Sequence, residues 1–139
     1  MSRTFSHSDW TFEWSAAGVG PTVVFLSHSP LNEEGNRLAR ALEKDFFVLR
    51  LTVSGREKEK FAKVVEAFFE DQQLWRVHWV VAKDALDLSI ELGEMSRVIW
   101  SFTSEAKMPN GSFTPETETI LRQNFAEVDP AYRTSEHPL

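Results

Sequence analysis

The chain has 139 residues, 42% hydrophobic and 26% charged, which is typical of one water-soluble domain with its own core. Its 21 acidic and 15 basic residues give a net charge of −6, which disfavours nucleic acid as a partner, and the lack of cysteine excludes disulfides and thiolate metal sites. Neither a signal peptide nor an apolar run of membrane-spanning length is recognisable, so we expect a cytoplasmic protein with no membrane partner.

The first half of the chain predicts three strands and one helix, preceded by a loose N-terminal tail at residues 1–9. Apolar and polar residues alternate over 10–15, which is the pattern of a strand with one buried face. Apolar runs predict further strands at 22–26 and 46–53, covered on both faces. Between them, residues 31–44 carry leucines on one side and charges elsewhere, which predicts an amphipathic helix.

The second half continues the alternation of helix and strand. Residues 57–74 place apolar side chains at helical spacing, and residues 85–95 predict another helix. Strands are predicted at 77–82 and 97–102. Because strands and helices alternate with short connections, the sequence predicts βαβ units and a mostly parallel sheet.

A last helix is predicted at 115–128, because Thr114 is a suitable N-cap and Pro115 suits the first helical turn. Residues 130–139 are predicted to form a loose C-terminal tail. The fold prediction is therefore a single α/β domain over residues 1–139. It has about five strands in a mostly parallel sheet, with helices on both faces.

The turn between the strand at 77–82 and the helix that follows it carries a family resemblance. It reads Val81-Ala82-Lys83-Asp84-Ala85. This outline resembles the nucleophile elbow of the α/β-hydrolase family, whose turn reads G-x-S-x-G with the catalytic serine at its centre. Residues 22–31 resemble the strand and His-Gly-x-Pro oxyanion loop of that family, although Ser27-His28 replaces the His-Gly pair. Residues 48–55 resemble the next strand and its glycine turn.

The resemblance covers about residues 10–104 and implies a shortened α/β-hydrolase scaffold that lacks the catalytic motifs. Lys83 replaces the serine, Val81 replaces the first glycine, and we expect the sheet to lack the strands that carry the family's acid and histidine. These losses together imply a catalytically inactive binding or assembly module with no catalytic residue and no cofactor. The alternative is a small hydrolase with a non-standard site at the C-terminal strand ends, and a small-molecule carrier is a third hypothesis.

Lys83 itself allows two interpretations. At a helix N-terminus a lysine can lose its charge and act as a neutral amine nucleophile. The simpler interpretation is a solvated lysine paired with Asp84. Because Val81 is β-branched, we expect the turn to have relaxed, which favours the simpler interpretation.

Polar residues follow two of the buried strands, at the position where open α/β sheets bind ligands. The candidate pocket residues are Ser27, His28, Ser29, Lys83 and Asp84. They predict a site for a small molecule or a protein partner. The alternative is that the first three cap the helix that follows them. No histidine pair has the spacing of a metal site, so no metal is predicted.

The strand at 97–102 is predicted to lie near an edge of the sheet. Its apolar Val98, Ile99 and Trp100 would then need a cover, because proteins protect exposed apolar edges. The helix at 115–128 or a second subunit could supply that cover. We predict a homodimer.

Overall fold

Seven strands form one sheet within residues 2–96, 98–126 and 133–134, which are the residues that the computed structural model describes. The strands are β1 (Arg3–His7), β2 (Trp10–Ala17), β3 (Thr22–Ser27), β4 (Phe47–Gly55), β5 (Arg76–Val81), β6 (Ile99–Ser104) and β7 (Arg133–Thr134). Their order across the sheet is β1-β2-β4-β3-β5-β6-β7. The four central strands, β4, β3, β5 and β6, run parallel, and the outer strands pair antiparallel.

The helices lie on both faces of this sheet. They are α1 (Glu33–Leu42), α2 (Phe61–Gln72), α3 (Leu86–Ser89) and α4 (Thr117–Ala126). One face carries an aromatic-rich core beneath α2, and the other packs against α1 and α4. In β3, Val24 packs into the core beneath α2, and the next residue, Phe25, packs against the side of α1 and α4. Successive side chains of a strand point to opposite faces of the sheet. The predicted α/β class and mostly parallel sheet are confirmed.

The prediction of a loose tail at residues 1–9 is wrong for the segment that forms β1. This strand pairs with β2 through a tight hairpin, in which Ser8 and Asp9 have φ angles of 49° and 67°. Both central residues of such a turn need positive φ. Phe5 anchors the strand, with its ring centroid 5.3 Å from that of Phe68 in α2. The sequence signal was weak because only one large apolar residue holds this strand.

The C-terminal elements are shorter or lie partly outside the described residues. Residues 133–134, predicted as tail, form β7 against Ile99 and Trp100, and the rest of 130–139 lies outside the described residues. The last helix begins at Thr117, two residues after its predicted start, and its predicted end at 128 also lies outside.

The helix predicted at 85–95 is broken into three short pieces. A 3₁₀ turn at 83–85 leads into α3, and a second 3₁₀ turn follows at 91–94. Gly93 lies in the second turn, and glycine weakens a continuous helix. The broken segment still buries Leu88 and Leu92 under the sheet, so it keeps the apolar contacts that the sequence pattern predicted.

Candidate functional site

A cleft opens where the parallel strands β3, β5 and β6 end. The registers pair Leu26 with Val81 and Val81 with Ser104, so the residues that follow these three positions lie at one level. The cleft has a volume of about 340 Å³, within the usual range for small-molecule sites. Its polar lining includes Ser27, Ser29, Asn32, Lys83, Asp84 and Glu105. Four of the five candidate pocket residues therefore meet in one cleft, and His28 is the exception.

Asp84 bridges the cleft from the β5 turn to the loop after β3. Its Oδ1 accepts a hydrogen bond from the backbone N–H of His28 at 3.0 Å. Its Oδ2 accepts from the N–H of Ser29 at 3.0 Å and from Ser29 Oγ at 2.9 Å. The carboxylate thus occupies two outward-facing amides of the loop that resembles an oxyanion loop. Asp84 is engaged by this loop, and the predicted pairing with Lys83 is absent from the described contacts.

Lys83 occupies the centre of the turn but does not have the strained geometry of a nucleophile elbow. It is absent from the described residues with positive φ, and Ala82 before it is extended at φ −69° and ψ 158°. The relaxed turn agrees with the expectation drawn from Val81. The side chain is exposed, and its Nζ lies 3.8 Å from where a Cβ on Gly111 would stand. The lysine ammonium therefore lies beside the loop after β6.

Glu105 is the residue that sequence reasoning missed. It directly follows β6, is only 8% exposed, and lines the cleft. Its Oε1 accepts the backbone N–H of Lys83 at 2.9 Å, whereas Oε2 accepts no hydrogen bond within the described part of the chain. The available signal was its position, because a carboxylate that follows a parallel strand lies at the ligand-binding edge of the sheet.

His28 turns its ring away from the cleft. Nδ1 lies 3.2 Å from the carbonyl oxygen of Val53, and Nε2 lies 3.2 Å from Oδ1 of Asp87. Since both partners are acceptors, both ring nitrogens donate only when the imidazole carries two protons. Lys58 Nζ lies 3.0 Å from the other oxygen of Asp87. Partial burial alone would raise the pKa of Asp87, but hydrogen bonds from Lys58 and His28 outweigh it and lower that pKa.

A second polar group lies inside the sheet, away from the cleft. His78 in β5 is 4% exposed, and its Nδ1 lies 2.6 Å from Ser101 Oγ in β6. Its Nε2 lies 3.1 Å from Thr103 Oγ1, and the ring of Phe125 covers it edge-on at 4.3 Å between centroids. Burial lowers the pKa of His78 from 6.5 to about 4, so the ring is neutral near pH 7. His78 therefore finds its hydrogen-bond partners within the sheet.

Two kinds of feature are absent from the described ranges. Among residues 2–96, 98–126 and 133–134, no three His, Asp or Glu side chains are grouped to hold a metal ion. Within the same ranges, no helix has the length and apolar character needed to cross a bilayer.

Comparison with solved structures identifies the architecture. A Pseudomonas aeruginosa protein described as an epoxide hydrolase matches with a TM-score of 0.54 at 16% identity, over 66% of this chain and 36% of that one. A mutant of such a protein gives 0.59 at 16% identity, over 93% and 45%. An α/β-hydrolase fold protein from Burkholderia ambifaria gives 0.55 at 13% identity, over 91% and 52%. No family model and no curated protein matches the sequence.

The protein therefore has an α/β-hydrolase-like fold, and the resemblance drawn from the sequence is confirmed at the level of fold. The chain spans between 36% and 52% of the length of these three structures. Identities this low carry no information on substrate or activity, because one fold supports many functions. Function has to be argued from the cleft itself.

Proposed function

We propose that this protein is a catalytically inactive, α/β-hydrolase-like binding module whose ligand site is the cleft at the strand ends. The single observation that carries the proposal is the position of the Asp84 carboxylate. It accepts the backbone N–H groups of His28 and Ser29, in the loop that resembles an oxyanion loop.

Acyl-transfer catalysis needs free hydrogen-bond donors aimed at the oxygen that becomes negative in the transition state. Here an internal anion already holds the two loop amides and the Ser29 hydroxyl. A developing oxyanion would have to displace Asp84, whose own negative charge repels it. The two loop amides are therefore not free to stabilise an oxyanion.

Lys83 also lacks the surroundings of a nucleophile. Nucleophilic catalysis requires a neighbouring base within hydrogen-bond reach and an orienting group behind it. Within the described residues, no base contacts Lys83 Nζ, and His28 directs its ring to Val53 and Asp87 instead. The alternative of a small hydrolase built from His28, Lys83 and Asp84 is therefore weaker than a binding function.

Ester turnover tests the proposal directly. We expect p-nitrophenyl acetate to be hydrolysed at the same rate with the wild-type protein, with Lys83→Ala and with His28→Ala. A serine esterase assayed in parallel shows that the assay detects turnover. Hydrolysis by the wild type that both substitutions abolish would overturn the inactive assignment and establish the small-hydrolase alternative.

The assembly part of the proposal concerns the outer edge of β6. Within the described residues β7 pairs only with Ile99 and Trp100, so 101–104 have no β partner on that side. Phe102 on this stretch is 43% exposed. A second copy that pairs with this edge would cover it, because exposed strand edges promote pairing.

Light scattering tests the homodimer. We expect a mass twice the 16.0 kDa of one chain for the wild type, and a shift toward one chain for Phe102→Glu. Val19→Glu is the control, because Val19 is 86% exposed and lies outside β6. A wild-type protein with the mass of one chain at micromolar concentration contradicts the dimer but leaves the binding function standing.

A further inference from the structure

We infer that the cleft binds a free amino acid with an apolar side chain, with its ammonium group against Glu105 and its carboxylate against Lys83. This inference rests on the proposed binding function and names the ligand class of the same cleft. It is carried by the different hydrogen-bonding states of the three charged side chains that line the cleft.

Glu105 supplies the strongest indication. Its side chain is 8% exposed, and only Oε1 has a hydrogen bond, from Lys83 N–H. The other oxygen, Oε2, is not a buried orphan and reaches the surface of the cleft, where a ligand can contact it. An ammonium group fits this oxygen, because it brings positive charge and three donors. Asp84 is less suited to this role, since loop donors already bond to both of its oxygens.

Lys83 supplies the opposite charge. Its side chain is exposed, and within the described residues its ammonium makes no ion pair. Its backbone is fixed by the bond to Glu105, and its Nζ lies over Gly111, so the two charged groups border the same cleft. One unpaired cation and one half-paired anion match a ligand that carries both charges.

The apolar part of the lining favours a ligand with an apolar side chain. Apolar surface comes from Pro30, Leu31 and Phe113, and Phe113 is 5% exposed, held by the ring of Phe25. A volume of about 340 Å³ admits a molecule of this size. Within the described residues, the buried side-chain polar atom without a partner is Trp79 Nε1, which belongs to the apolar core beneath α2 and does not line the cleft.

Calorimetric titration with L-leucine and L-phenylalanine tests the inference, with N-acetyl-L-leucine and L-leucinamide as blocked analogues. We expect at least one free amino acid to bind. Blocking the amine should weaken leucine binding at least about tenfold, because it removes the charged donor for Glu105. Amidating the carboxylate should weaken it by a smaller factor, since Lys83 is exposed and solvent screens its charge.

Matched variants locate the effect in the cleft. Glu105→Gln should reduce affinity at least about tenfold. Glu94→Gln, which removes the same charge from an exposed position, should leave affinity unchanged. Lys83→Met should weaken binding, and Lys63→Met on the exposed side of α2 should not.

Three results would overturn the inference: no heat from either amino acid, equal binding of leucine and its acetylated form, or wild-type affinity in Glu105→Gln. The acetylation comparison uses only the wild-type protein, so it holds even if the variant folds poorly. Ester turnover is a separate readout. The amino acid can fail to bind while the protein remains inactive, and turnover can appear while leucine still binds.

Discussion

His78 and Glu105 are almost equally buried, yet they differ in how many of their polar atoms have a hydrogen-bond partner. His78 is 4% exposed and has hydroxyl partners at both ring nitrogens, Ser101 and Thr103. Glu105 is 8% exposed and accepts one backbone hydrogen bond, with its second oxygen left at the cleft. The first group has its partners within the chain, and the second keeps one oxygen open to the cleft.

On the proposed binding function, this difference separates a structural polar group from a ligand-binding one. Burying a polar group without partners costs stability, so the buried ring of His78 needs both hydroxyls, whereas the second oxygen of Glu105 reaches the surface of the cleft. On the buried face of the sheet, a neutral histidine bonds to two hydroxyl groups. In the cleft, both oxygens of Asp84 accept hydrogen bonds from the loop after β3. Glu105, which follows the neighbouring strand, has one oxygen that accepts none within the described residues. Four predictions test this contrast, from the largest expected effect to the smallest.

The pH dependence of stability tests the His78 side of the contrast. Its pKa is about 4 when folded and 6.5 when unfolded, so the unfolded chain binds more protons between these values. The stabilisation is complete above pH 6.5 and is lost as the pH falls toward 4, by about 3 kcal/mol in total. Urea unfolding of the wild type and of His78→Leu across this range measures it, and the wild type should lose stability relative to the variant as the pH falls.

Val80→Ala is the control for that experiment. Val80 is buried on the same face of β5 and carries no titratable group. It should lower the free energy of unfolding by a constant amount at every pH. A His78→Leu curve parallel to the wild-type curve would show that His78 is not the titrating group.

Removing Asp84 tests the carboxylate whose two oxygens both accept hydrogen bonds from the loop after β3. Asp84→Ala deletes three hydrogen bonds to the loop after β3. We expect a loss of about 2 kcal/mol, less than three charged hydrogen bonds would give in the interior, because the site is partly exposed to water. Denaturant unfolding measures it, with Asp71→Ala on α2 as a matched exposed aspartate. Equal stability of the two variants would mean that the Asp84 contacts contribute nothing.

Glu105→Gln tests the carboxylate with one oxygen open to the cleft. If Glu105 is kept for ligand binding and not for the fold, its neutral replacement should stabilise the free protein. The amide oxygen can still accept the Lys83 N–H, and we expect a gain of up to about 1 kcal/mol. Thermal unfolding without ligand measures it. A clear loss of stability would place Glu105 with His78, among the groups that the fold itself requires.

Lys83→Met should have the smallest effect on stability. The side chain is exposed and makes no described ion pair, so the free energy of unfolding should change by less than about 0.5 kcal/mol. Chemical denaturation of both proteins checks it. A larger loss would indicate a structural partner for the ammonium and would weaken its assignment to ligand binding.

The sequence predicted the strands from β2 to β6 and the two-sided core, because those signals are local. Alternation over 10–15 and the apolar runs that follow are readable from neighbouring residues alone. The same local reading identified the turn at Lys83 and the absence of a serine there. It missed β1, whose strand depends on one phenylalanine packed against a helix about sixty residues later.

The chemistry of the cleft was decided only by the tertiary structure. Asp84 reaches Ser29 across 55 positions of sequence, and Glu105 reaches Lys83 across 22. Parallel pairing of β3, β5 and β6 aligns their carboxyl ends, and the register sets which side chains meet there. A single shift in register would exchange the faces of a strand and separate these groups. The sequence alone thus determined the scaffold and the absence of a serine at its turn, whereas the fold determined that Asp84 accepts the loop amides and that one oxygen of Glu105 remains open to the cleft.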